Sequence, residues 1–160
     1  MDLPSDFKDL LEEFARDGVE FLVVGGYAVA FHGRPRTTKD IDVLLEGSPQ
    51  NLARAARALT RFGAPPNVVS AVTTMADADV VFMGQAPLRI DLMRAIDGVG
   101  AEDLFRDAVR TEIDGVELKF IALDHLIANK RAAGRPQDLM DAEFLERIRA
   151  VRKNKSGEMR

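Results

Sequence analysis

The chain has 160 residues, enough for one domain with a substantial core and little room for a second. Its 46% hydrophobic and 30% charged composition is that of a globular protein; without any cysteine, disulfides, thiolate metal sites and thiol catalysis are excluded, which suits the cytoplasm. The net charge of −4 argues against a dedicated nucleic-acid coat, and no apolar run has the length of a membrane span or the pattern of a signal peptide.

In chain order, Phe7, Leu10, Leu11 and Phe14 recur at helical spacing and predict a helix over 5–17, stopped by Gly18. Phe21 to Val24 read as a short buried strand that ends in Gly25-Gly26 and opens a short helix through Phe31. After the basic loop Arg34-Pro35-Arg36, residues 40–46 read as a second strand. Ser48 and Pro49 then cap a helix whose stripe is Leu52, Ala55, Ala56, Leu59 and Phe62. Strands are expected over 68–73, 79–83 and 88–93. A hairpin over 110–113 and 116–121 turns at Asp114-Gly115. Two helices, 123–133 and 136 to about 151, complete a single domain over 1–151, and 152–160 is expected to be a basic flexible tail. Strands and helices so intermixed predict an α+β fold: a mixed sheet flanked by helices.

The segment from Phe21 to Leu45 carries the chemistry. A strand ending in two glycines lets backbone approach a phosphate, and the helix that follows offers it unpaired N–H groups and a positive dipole. Asp40 and Asp42 lie two apart on a strand, so both carboxylates leave the same face while Ile41, Val43 and Leu45 enter the core. Two such oxygens suit Mg²⁺, which takes its remaining ligands from water and substrate phosphates. Gly-Gly alone is more often a tight turn, and acid-x-acid alone a solvated sheet face; their order and placement together make the pattern specific.

This segment resembles the signature of the DNA polymerase beta-like nucleotidyltransferase superfamily. The resemblance implies that Asp40 and Asp42 bind Mg²⁺ and that Gly25 and Gly26 seat a nucleoside triphosphate. Many members have serine where this chain has Gly26, so Arg36 and Thr38 are assigned to help grip phosphate. The superfamily also supplies a third carboxylate from a later strand. Asp91 is the candidate, as a metal ligand or as general base for an attacking hydroxyl, with Asp79 and Asp97 as weaker alternatives.

A second pattern, Lys130-x-x-x-x-Arg135-x-x-Asp138-x-x-Asp141, follows. Lys130 falls on the buried stripe of Leu123, Leu126 and Ile127, where it must snorkel, pair with an acid or reach a cleft. Asp138 is expected in a helix first turn on dipole grounds alone. Asp141 can pair with Lys130 or Arg135. The pattern resembles the late element of AbiEii-type toxins and their single-domain relatives. That implies contact of Lys130 with nucleotide phosphates, a supporting role for Asp138 or Asp141, and possible pairing with an antitoxin. Residues 130–160 carry nine Lys or Arg against five Asp or Glu, a surplus of four, so residues 1–129 carry −8. His32 and His125 are expected at surface or capping positions.

The expected activity is Mg²⁺-dependent transfer of a nucleotidyl group from a nucleoside triphosphate to a hydroxyl on protein, RNA or a small molecule. The alternative is a catalytically weak nucleotide- or protein-binding regulatory module of the same fold, slightly favoured by the missing serine and the short chain and disfavoured by the intact acid pair.

Overall fold

A computed structural model describes residues 1–85 and 88–158. Helix α1, Ser5–Arg16, buries Phe7, Leu10, Leu11 and Phe14, the stripe its sequence sets out. Strand β1, Phe21–Val24, is buried throughout, and α2, Gly25–Phe31, begins at the next residue. Strand β2 is Asp40–Leu45. Helix α3, Pro49–Phe62, starts at Ser48, whose hydroxyl accepts from the Asn51 N–H, and ends at Gly63 in the left-handed conformation. Phe62 packs only partly buried against the core.

The segment expected as a strand over 68–73 is instead helix α4, Pro66–Thr73. Val68 and Val72 lie four apart and are the helix's buried residues. Pro66 supplies the preset first turn. Strand β3 is Val80–Gln85, β4 is Leu88–Met93, and between β4 and the hairpin comes a helix the sequence reading did not anticipate, α5, Ala101–Arg106. Hairpin strands β5, Val109–Ile113, and β6, Val116–Phe120, join at Asp114 and Gly115, both with positive φ. Helix α6, Leu123–Ala133, closes on Gly134, and α7, Pro136–Glu158, runs helical past Val151, through much of the expected tail; Met159 and Arg160 of that tail lie outside the described residues.

All six strands form one mixed sheet in the order β3-β4-β2-β1-β6-β5. β1 is antiparallel to β2 and parallel to β6, while β2 is parallel to β4. The end of β1 and the starts of β2 and β4 therefore meet at one edge of the sheet. The core consists of α1, the strand interiors and the inner faces of α3, α6 and α7. Among the described residues no helix is long and apolar enough to cross a membrane.

Candidate active site

The site follows from register. Asp40 and Asp42 share a face of β2 because side chains alternate along a strand, and Ile41 and Val43 on the other face are fully buried. Across the ladder, Asp42 stands opposite Val24 of β1 on one side and Asp91 of β4 on the other, while Asp40 stands opposite Arg89. The third carboxylate expected from sequence is therefore beside the first two. Phe82 of β3 continues the row on the far side of Asp91.

Gly25 fixes the other border. Its φ is +65°, and a Cβ built there would stand 1.9 Å from Asp42 Oδ2. Only glycine lets the β1–α2 turn lie against that carboxylate. At Gly26 a Cβ would stand 3.1 Å from Thr38 Oγ1, so the Thr38 side chain fills the space next to it. Thr38 Oγ1 donates to the Asp40 carbonyl at 2.9 Å. Tyr27, Arg36 and Thr38, with Met1, Asp2 and Ala30, line a cavity of about 270 Å³.

The electrostatics of the row are uneven. Burial first, then the neighbouring Asp91 and Asp40, push the Asp42 carboxyl up to about 6, against a partial downward pull from Lys130. Asp42 and Asp91 are close enough to share a hydrogen bond when one holds a proton. Asp40 is the open member, with 45% of its side chain exposed. Arg89 spans the outer pair: its Nε lies 2.8 Å from Asp91 Oδ1, its Nη2 3.1 Å from Asp91 Oδ2 and 3.3 Å from Asp40 Oδ2. The guanidinium also lies over the Phe82 ring, 4.7 Å from its centre. The sequence reading passed over Arg89, although Arg-x-Asp on a strand puts both side chains on one face. Among the described residues, no three His, Asp or Glu side chains stand close enough as placed to hold a metal ion. Asp40 is drawn toward Arg89.

Behind the row lies a second charged cluster, buried and fully paired. The Lys130 ammonium, on α6, lies 3.3 Å from both Asp138 and Asp141 of α7. Asp141 also takes Arg34 at 3.5 Å and a close bond from Arg36, so the α2–β2 loop is tied to α7. Arg135 turns to Asp138, with Nε at 2.7 Å, and donates its backbone N–H to the same carboxylate. Burial opposes ionisation of Asp138, but Arg135 and Lys130 outweigh it and hold its carboxyl below the usual range. Lys130 is thus buried on the stripe that periodicity assigned to it, with acids as its partners. Arg34 was missed, because its partner lies over a hundred residues along the chain.

Other expected positions resolve differently. His32 takes the capping position of the two expected: it is the C-cap of α2, buried, with Nε2 donating to the Ile121 carbonyl at 2.7 Å. Burial lowers its pKa ahead of the opposing effect of that bond and the added push of Arg152. His125 lies 2.8 Å from Asp107. Asp79 closes an exposed turn by accepting from the Ala76 N–H, and Asp97 is an exposed loop residue; neither belongs to the acid row.

Residues 4–160 match the family model described as a nucleotidyl transferase of unknown function (DUF2204). None of the curated proteins matches the chain. Among solved structures, the lincosamide antibiotic adenylyltransferase LnuA, with lincomycin bound, is 14% identical over 92% of this chain and 98% of its own, with a TM-score of 0.61. A Thermotoga maritima protein assigned as a nucleotidyltransferase is 14% identical over 98% and 96%, with a TM-score of 0.59. ANT(2″)-Ia, in complex with adenylyl-2″-tobramycin, is 14% identical over 95% and 97%, with a TM-score of 0.55. At such identities the likeness is one of fold.

Proposed function

Because the chain belongs to the nucleotidyl transferase family that its residues 4–160 match, we propose that it moves a nucleotidyl group from a nucleoside triphosphate to a hydroxyl acceptor at the Asp40–Asp42–Asp91 row. One observation carries this reading: Asp42 and Asp91 stand side by side in register, with the Gly25 turn pressed against Asp42.

A divalent cation fits the row. The donors are hard carboxylate oxygens, and Asp42 is a buried acid whose like-charged neighbours raise its pKa, a strain that a dication relieves. Asp42 and Asp91 would hold it, with Asp40 joining, once Asp91 and Asp40 are turned from Arg89. Bound there, Mg²⁺ would supply charge stabilisation to the α-phosphate. The chain's own part is positioning. Gly25 and Gly26 present backbone N–H groups at the start of α2 to the β- and γ-phosphates, and Arg36 and Thr38 stand at the cavity beside them. Asp91, as general base, takes the proton of the acceptor hydroxyl as its oxygen bonds to the α-phosphorus. The bond from that phosphorus to the bridging oxygen breaks, and pyrophosphate leaves. In this reading Lys130 and Asp138 support the site from behind: Lys130 lowers the cost of ionising Asp42 while its own charge is held by Asp138 and Asp141.

Lincomycin and adenylyl-2″-tobramycin, the ligands of two fold neighbours, favour a small hydroxylated molecule as acceptor over RNA or protein. The toxin role and an antitoxin partner rest on the resemblance of the late Lys–Arg–Asp–Asp pattern alone. Calorimetric titration with Mg²⁺ and each of ATP, GTP, CTP and UTP tests the reading. Binding of at least one triphosphate by the wild type, lost in Asp40→Ala/Asp42→Ala, supports it; no binding, or equal binding by both proteins, refutes it.

A further inference from the structure

Three carboxylates on one sheet face repel each other, and in the absence of a dication something must hold them. We propose that Arg89 is the resident counter-cation of the acid row, bridging Asp40 and Asp91 and competing for both acids with the divalent ion that the row would hold. The inference deepens the metal reading above and rests on it.

The geometry is that of a bridge between strands. Arg89 precedes Asp91 by two residues on β4 and pairs in register with Asp40 of β2, so its side chain rises on the acids' face between the two strands. One guanidinium bonds both Asp91 oxygens and reaches Asp40. Joining carboxylates from neighbouring strands is the task a divalent ion performs at such a row, here done with one charge in place of two. Asp42, beside them, has no bond to a cation among the described residues, so Arg89 serves only two of the three acids.

The same side chain is built to leave. It is 42% exposed, so the guanidinium can turn to water while the ion compensates the buried Asp91, and its planar face can stack on an aromatic ring as an ammonium cannot. Phe82, 56% exposed at the sheet edge, gives it an aromatic shelf at 4.7 Å that does not depend on the acids. Lys130, by contrast, is a buried cation fixed by two acids and cannot exchange in this way. Arg89 thus competes with metal for Asp40 and Asp91.

The test is Mn²⁺ titration of wild type, Arg89→Gln and Arg89→Lys, followed by calorimetry, with thermal melts in chelator and in saturating Mn²⁺. Arg89→Gln is expected to bind Mn²⁺ roughly five- to tenfold more tightly, the factor for removing one partly exposed, charge-assisted competitor. It should also melt below wild type in chelator and recover most of the deficit with Mn²⁺. Arg89→Lys, which keeps a point charge without the fork, should fall between the two in both readouts. Equal Mn²⁺ affinity in wild type and Arg89→Gln overturns the inference alone, and so does weaker binding by Arg89→Gln, which would make Arg89 an organiser of the metal site. Failure of all three proteins to take up Mn²⁺ overturns it together with the metal reading.

Discussion

Two clusters of aspartates, one on the sheet and one on α7, meet their charge in opposite ways. Asp138 and Asp141 are almost completely buried, yet Lys130, Arg34, Arg36 and Arg135 surround them. Asp42 and Asp91 have one arginine between them, bonded to only one of the two, and Asp42 is pushed up to about 6. The α7 cluster is charge-saturated and ties the α2–β2 loop to the C-terminal helices. The sheet cluster is left short of positive charge. Three acids on one face cost free energy, since each added like charge raises it, and the proposed dication would bring the missing charge.

The comparison is broken most severely at Asp141. Asp141→Ala leaves Lys130 buried with half its partners and frees Arg34 and Arg36, so a loss of about 3–5 kcal/mol in stability is expected by chemical denaturation. Asp42→Asn should do the reverse. Nucleotidyl transfer should fall by about 10²- to 10³-fold in kcat/KM, as for removal of a central electrostatic group, while the metal-free protein becomes no less stable. Equal destabilisation by the two variants would erase the distinction between the clusters.

A pH series sharpens it. The Asp42 carboxyl is raised in the folded chain, so its contribution is fully present below the unfolded value near 4 and is lost as pH rises through about 6. Metal-free protein should therefore lose on the order of 1–3 kcal/mol from this group between pH 4 and pH 7, and Asp42→Asn should flatten that slope. Metal affinity should move the other way, rising through about 6 as the proton leaves. The smallest expected effect is Gly26→Ser. The new Cβ meets Thr38 Oγ1 at 3.1 Å, and a small shift of Thr38 should hold the stability change within about 1 kcal/mol. A loss several times larger would show that this turn cannot adjust.

The parts of this arrangement that were legible in the sequence are those set by local period. Asp40-x-Asp42 fixes a shared face, Gly25 marks a turn only glycine permits, and Leu126, Ile127 and Lys130 lie on one helical stripe. Asp91 could be named because the superfamily resemblance calls for a third carboxylate on a later strand. Where the signals conflicted, the reading failed: Val68 and Val72 are β-formers by type, and their four-residue spacing and the preceding prolines decided for α4. Helix α5 buries Leu104 alone and offers no stripe to read. The pairing of Lys130 with Asp141 was legible from spacing, but the longer-range ion pairs were not. Arg36 finds Asp141 and Arg89 finds Asp40 only after β2, β4 and α7 have come together, and no spacing rule spans 105 or 49 residues.

Nucleotidyl transfer itself is the decisive measurement. Wild type and Asp42→Asn are incubated with Mg²⁺, triphosphates labelled at the α-phosphate and a set of acceptors comprising hydroxylated antibiotics, tRNA and protein. The account predicts a labelled adduct and equimolar pyrophosphate with the wild type only, and none in chelator. Label that passes to an acceptor equally well with asparagine at position 42, or to none of them with the wild type, would contradict it.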